Sequence, residues 1–421
     1  MLCLISMPEL NYNSLYLSKV DVFMNKKNAS HIGIFFLGEM LSKVLPFLLL
    51  PFLTRYLPAS DFGRLGYFMS LMGMGLIAVN WSFDGAIARY YYRYGKFNIL
   101  NVYYTAIVLS LALTFVLCLV ASFFNNSIYL YAVVCAFLQG VFNILSTFQQ
   151  CQKNAFKYIA IQFTFSIIST ALTIVLVLKW HADIDSRIVA ILVGLSCAIF
   201  IGMKFLHVYR KIHVKDIIKK LNFTYLLSFG LPLIFHQISL MIKGQLDRII
   251  IATTFDYVQL AHYTAGYQVA SVISVGIMAV NKAIVPTYYE ACKSNKINKN
   301  KIYFLFWLLL PICLLPSIIT YFIPPVFFVA LLGEKYEFIG TYVTIFTFGF
   351  MLQIPYLLLV NYLFYLNKTR VIAKITILSS IVHIVSIYIL KSYGIVYIPW
   401  ALVLSNVFCI FLLYFYMGRK D

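Results

Sequence analysis

Long apolar stretches alternate with short polar ones along the whole chain. Each apolar stretch is long enough to cross a bilayer, which takes about 20 residues at ~1.5 Å of rise each. Six such spans are placed near residues 31–53, 64–84, 103–124, 128–148, 159–178 and 188–206. Six more fall near 226–251, 263–285, 303–323, 341–363, 372–390 and 396–417. No connection between them is long enough to hold a separate folded domain. The pattern predicts an all-α polytopic membrane protein of about 12 transmembrane helices. Residues 28–208 and 226–421 then form two bundles joined by a basic linker, 209–225. Residues 1–27 are read as an N-terminal extension, disordered or lying on the membrane surface. They lack the basic start and cleavage site of a signal peptide, and Met24-Asn-Lys-Lys reads as a more natural start.

The seventh span breaks the apolar rule. Its sequence, LLSFGLPLIFHQISLMIKGQLDRIII, carries Lys243, Asp247 and Arg248. A charge at the hydrocarbon centre costs about 2.5–3.5 kcal/mol on insertion scales, so these side chains are expected to avoid lipid. Lys243 and Asp247 stand four apart and share a helix face, which lets them pair. Arg248 points about 100° away.

Other charges fall inside or at the ends of spans. Glu39 and Lys43 are four apart in the first, Asp84 and Arg89 close the second, and Lys282 lies toward the end of the eighth. The set Glu39, Lys43, Asp84, Arg89, Lys243, Asp247, Arg248 and Lys282 holds three negative and five positive groups, so pairing cannot neutralise it. Unpaired cations persist there only if water or an anionic ligand solvates them. Lys43, Lys243 and Arg248 are therefore candidate cavity-lining cations. The competing reading makes Glu39–Lys43 and Lys243–Asp247 packing pairs, with Arg89 and Lys282 reaching for the interface.

Charge placement also orients the chain. Of 33 Lys and Arg residues, 23 lie in alternate connections and the termini, and 6 (Arg55, Arg64, Lys179, Arg187, Lys335 and Lys391) lie on the opposite side. That bias puts both termini in the cytoplasm.

Composition narrows the class further. The chain is 62% hydrophobic and 11% charged, with a mean hydropathy of +0.87. Its net charge of +19 resides mostly in short connections, which favours positive-inside anchoring over nucleic-acid binding. Eight cysteines form no CxxC pair and read as packing residues, so neither metal nor disulfide framework is expected. His236 and His383 lie within spans, where hydrogen bonding between helices is the plainer reading and proton carriage the sharper one. No glycine-rich phosphate loop is present, and Asp183-Ile-Asp185 sits in a short outward connection. No catalytic residue, cofactor or metal is expected.

The halves look like weak copies of each other. Gly66-Tyr67 recurs as Gly266-Tyr267, and Ala86-Ile87 with Tyr91-Tyr92 recurs as Ala283-Ile284 with Tyr288-Tyr289. Parallel repeats offset by ~200 residues are a transporter pattern, with a substrate path expected between the halves.

Three segments carry a family resemblance: LPFLTRYLPASDFGRLGYFMSL, FDGAIARYYYR, and LSFGLPLIFHQISLMIKGQLDRIIIATTF followed by YTAGY. Within them stand Asp61-Phe62-Gly63, Gly230-Leu231-Pro232 and Asp247-Arg248. The chain resembles the Wzx-type polysaccharide flippases of the multidrug/oligosaccharidyl-lipid/polysaccharide exporter superfamily. The resemblance implies two six-helix bundles forming a V in the bacterial inner membrane. It implies an undecaprenyl-diphosphate-linked oligosaccharide, such as an O-antigen repeat, as cargo. Polysaccharide polymerase and chain-length proteins are the implied partners, beside membrane lipids. By this likeness Lys43, Lys243, Arg248, Lys282 and Arg89 are expected headgroup contacts, and Glu39, Asp84 and Asp247 gating or ion-coupling groups. The rival readings are an ion-coupled drug antiporter of the same fold and a membrane glycan polymerase or ligase. The first would present acids to a cationic substrate, and the second a large outward loop.

Overall fold

The computed structural model describes residues 44–45, 47–95, 98–206, 220–294 and 296–418. Among these the chain is helical and contains no strand. Ten helical stretches are long and apolar enough to cross a membrane. Two expected spans fall outside that set. Much of the first lies outside the described residues, which leaves the short helix α1, Phe47–Tyr56. The seventh is interrupted where its charges fall.

Helices α2 (Ala59–Asn80) and α3 (Phe83–Tyr94) replace the expected span 64–84. Pro58 precedes the first turn of α2, where a missing N–H costs nothing. The helix ends because Trp81 and Ser82 adopt left-handed backbone angles, with φ of 42° and 56°. Then follow α4 (Ile99–Ser122), α5 (Ser127–Cys151), α6 (Ala155–Lys179) and α7 (Ile184–Leu206). Asn126 caps α5 by accepting the Ile128 amide at 3.1 Å, and Asp183 caps α7 by accepting the Ser186 amide at 3.0 Å. The Asp-Ile-Asp motif is thus in part a helix cap.

The seventh span comprises α8 (Lys220–Met241), a π-helical turn (Ile242–Leu246) and α9 (Asp247–Thr254). Helix α10 (Tyr257–Lys293) is capped by Asp256, which accepts the Gln259 amide at 2.7 Å. Proline divides the next spans. Helices α11 (Lys299–Ile312) and α12 (Leu315–Tyr321) part between Pro311 and Pro316. After α13 (Pro325–Leu332), helices α14 (Gly340–Met351) and α15 (Gln353–Tyr365) part at Leu352. Pro355 lacks the amide that would have bonded to the carbonyl of Met351. Helices α16 (Thr369–Leu390) and α17 (Trp400–Gly418) complete the chain.

The helices gather into two compact units. The first takes Leu71–Phe235 with the residues up to Phe52, and the second takes Leu53–Ser70 and His236–Asp421. Helix α2 and the seventh span each run from one unit into the other. In the first unit Phe83, Ile87, Tyr103, Ile144, Phe148 and Leu226 form a sealed core. In the second, Ile302, Phe306, Leu359, Leu363, Val403 and Leu413 do the same. Gly63 is required there: a Cβ at this position would lie 1.8 Å from the Tyr257 carbonyl oxygen. Only glycine lets α2 approach the start of α10 this closely, which gives the Asp61-Phe62-Gly63 motif a packing reason.

Candidate functional site

The π turn of the seventh span builds the site in the second unit. The Gly244 carbonyl accepts Arg248 Nη1 at 2.8 Å, and the Arg248 amide reaches Asp247 Oδ1 at 3.1 Å. Single π turns inside α-helices recur at functional sites because they free backbone groups and re-aim side chains. This one holds Lys243 within it and places Asp247 and Arg248 immediately after it.

Arg248 is 5% exposed. Its Nη1 also donates to Gln245 Oε1 at 2.8 Å, and that oxygen accepts Ser70 Oγ at 3.0 Å. The guanidinium lies over the Tyr267 ring, 4.1 Å from its centre. Nε is sealed from solvent with no acceptor. Asp247, 3% exposed, accepts the Tyr263 hydroxyl through Oδ2. Tyr263 and Tyr267 stand four apart on α10, so one helix face serves both members of the Asp-Arg pair.

Lys243 is half-buried and donates to Asn406 Oδ1 at 3.2 Å. Asn406 Nδ2 donates in turn to the Gly349 carbonyl at 3.0 Å, which fixes the amide with its oxygen toward the lysine. The expected Lys243–Asp247 pair is therefore absent among the described residues. The π turn separates the two groups, and each finds a neutral partner on another helix. Carboxamides and tyrosines, rather than opposite charges, hold this site.

A polar stripe on α16 lies in the same unit: Thr376, Ser379, Ser380, His383 and Ser386 are all buried. Ser380 Oγ donates to the Ser239 carbonyl of α8 at 2.9 Å. His383 Nδ1 lies 3.4 Å from Ser405 Oγ, and its Nε2 is buried without a partner. This fits the helix-packing reading of His383 through one nitrogen and leaves the other open.

The remaining candidates are dispersed. Lys282 is exposed on α10. In the first unit, Arg89 stands over the Phe229 ring at 5.0 Å, and Asp84 accepts Asn80 Nδ2 at 3.0 Å in the first turn of α3. Gly230 meets the chain break there, since a Cβ on it would lie 2.5 Å from the Trp81 carbonyl oxygen. Glu39, Lys43 and the side chain of His236 lie outside the described residues. The sequence reading brought forward Lys243, Asp247 and Arg248 but missed Ser70, Gln245, Tyr263, Tyr267 and Asn406. The i, i+4 tyrosines of YTAGY were the available signal. Nothing local marked Asn406.

Residues 29–292 match the family described as polysaccharide biosynthesis protein. A relative from Haemophilus influenzae, called Lsg locus putative protein 1, is 36% identical over 404 residues, covering 92% of this chain and 97% of that one. Among solved structures, an inward closed conformation of the lipid II flippase MurJ superposes with a TM-score of 0.73 at 12% identity. It covers 92% of this chain and 88% of that one. An inward-facing multidrug resistance MATE family transporter of the MOP superfamily gives a TM-score of 0.69 at 15% identity, covering 90% of this chain and 94% of that one. At these identities the two structures share the fold of this chain and show no more than that.

Proposed function

The chain belongs to the polysaccharide biosynthesis protein family, and from that premise we propose that it moves a lipid-linked saccharide across the bacterial inner membrane. The cargo is an undecaprenyl-diphosphate-linked O-antigen or related polysaccharide repeat. One observation carries this reading: Lys243 and Arg248 sit inside a helical unit on neutral hydrogen-bond partners, and the one acid beside them, Asp247, leaves the site net positive. A sugar diphosphate cannot cross hydrocarbon unaided, and net positive charge stabilises it on a polar path. Lys243 has donors left beyond its bond to Asn406 and acts as a point charge on the diphosphate. Arg248, clamped by Gly244, Gln245 and Tyr267, supplies a fixed positive field beside it. Asp247 holds Tyr263 and the backbone of the π turn, which suits a gating role. An antiporter for cationic drugs is disfavoured because this site offers such a substrate more positive than negative charge.

The test is deletion of the gene, followed by analysis of the surface glycan and its lipid-linked intermediate. Loss of surface polymer is expected, with a single repeat accumulating on its lipid carrier and accessible only from the cytoplasmic face. Single repeats attached to the surface acceptor would instead identify a missing polymerase. Unchanged polymer with altered drug susceptibility would identify the antiporter.

A further inference from the structure

We propose that Arg187, in the first unit, forms a seat for a phosphate group on the outer side of the membrane. The sequence counts Arg187 among the loop cations. The structure instead places it inside the first turns of α7, 8% exposed. Its recorded bonds run through one nitrogen. Nη1 donates to Thr173 Oγ1 at 2.7 Å and to the Ser169 carbonyl at 3.2 Å, both on α6. The Thr173 hydroxyl donates onward to the same Ser169 carbonyl, so it is engaged both as donor and as acceptor and orients the guanidinium.

Three further features point to an anion. First, Arg187 takes part in no ion pair among the described residues: Asp183 is occupied by the Ser186 amide, and Asp185 is exposed. A buried charge without a counter-ion is costly. Second, both acceptors of the guanidinium belong to α6, so its charge is held by hydroxyl and carbonyl dipoles and not by an acid. Third, Nε and Nη2 are not closed off. Arg248 Nε is both sealed and partnerless, whereas no nitrogen of Arg187 is. The two nitrogens that lack a partner therefore open onto the residual exposed surface. A guanidinium with one edge anchored and the other free matches the two-pronged binding of a phosphate.

The membrane side follows from charge. Lys153 and Lys157 mark the opposite end of α6, and Lys204 the opposite end of α7; these belong to the cytoplasmic set. Arg187 thus stands at the outer end, where a translocated headgroup arrives. The hydroxyl stripe Ser166, Ser169 and Thr173, all buried, lines the helix behind it. The phosphate belongs either to a lipid headgroup or to free phosphate. The choice of undecaprenyl diphosphate as one probe rests on the proposed cargo, and the seat itself does not.

The experiment uses the full chain in dodecyl maltoside micelles, which carry no phosphate. Phenylglyoxal labels accessible guanidinium groups, and mass spectrometry reads the Arg187 peptide. Arg187 is expected to react in the micelles alone. Undecaprenyl diphosphate is expected to slow that reaction about ten-fold, the scale of one charge-assisted hydrogen bond. Protection that also comes from phosphatidylglycerol assigns the seat to lipid phosphate in general, and protection by inorganic phosphate alone assigns it to the free ion. The same measurement on Arg248→Ala separates this proposal from the proposed function, because protection at Arg187 should persist there. Retention of undecaprenyl diphosphate by Arg187→Lys should exceed that by Arg187→Gln. An unreactive Arg187 without probe, or a reactive one that no probe protects, overturns the proposal and leaves a clamp between α6 and α7. Both readouts on the wild-type chain stand even if the variants fail to fold.

Discussion

Two arginines are buried among the described residues, Arg248 at 5% exposure and Arg187 at 8%; both are anchored through Nη1, and they differ in what surrounds the rest of the guanidinium. Arg248 is enclosed: two acceptors on Nη1, an aromatic face beneath it, Asp247 beside it and a sealed Nε. Arg187 is tethered by Nη1 alone to one face of α6. Burial alone therefore does not separate a structural cation from a binding one. The donors left over after packing do. Arg248 is part of the wall that gives the second unit its charge, while Arg187 presents an edge.

The largest expected effect tests that contrast directly. Arg248→Ala removes a donor from the Gly244 carbonyl and from Gln245, whose oxygen keeps Ser70, and leaves Asp247 without its neighbouring cation. Removing one partner from a buried charged group costs about 3–5 kcal/mol. The variant should melt well below the wild type, and surface polymer in a complemented deletion strain should be nearly lost. Arg187→Ala removes a single anchored nitrogen and should cost about 1–2 kcal/mol. Equal melting losses would erase the distinction.

Next comes Tyr267→Leu, which removes the ring under Arg248 while keeping apolar bulk. A desolvated cation–π contact contributes about 2 kcal/mol, so a melting loss of that size is expected, with polymer export reduced but present. No change in either would mean the hydrogen bonds alone fix the guanidinium.

How much of this was legible before coordinates follows the same contrast. The helical class was plain because apolar length is a one-dimensional signal. Lys243, Asp247 and Arg248 stood out because they interrupt such a run. What the sequence could not convey was partner choice. Four-residue spacing predicted a Lys243–Asp247 pair, but a π turn and two groups distant in sequence, Asn406 and Tyr263, took the charges instead. Arg187 was misplaced for a related reason. It follows two aspartates in what reads as a loop, yet α7 begins at Ile184 and carries it inward. The clue lay on another helix: Ser166, Ser169 and Thr173 repeat at helical spacing in an otherwise apolar run, and such a stripe needs a polar partner.

A smaller effect is expected at Lys243→Gln. Lys243 is half-buried and makes one recorded bond, to a neutral amide. Loss of its charge should change stability by less than about 1 kcal/mol. Export of polymer should nonetheless fall about ten-fold, because the lost interaction is with the cargo rather than the fold. Normal export at normal protein level would remove Lys243 from the path.

The smallest and most discriminating change is Thr173→Val. It keeps the shape of the side chain and removes only the hydroxyl that accepts Arg187 Nη1 and donates to Ser169. The Ser169 carbonyl remains as an acceptor, so about 1 kcal/mol of stability should be lost. Unlike the other substitutions, this one should raise reactivity: with its anchor loosened, Arg187 should label faster with phenylglyoxal, while labelling at Arg248 stays unchanged. Ligand protection at Arg187 should weaken rather than vanish, because the charge is intact and only its orientation is lost. If labelling at Arg187 does not change, the hydroxyl does not orient the guanidinium, and a two-pronged seat loses the fixed edge it requires.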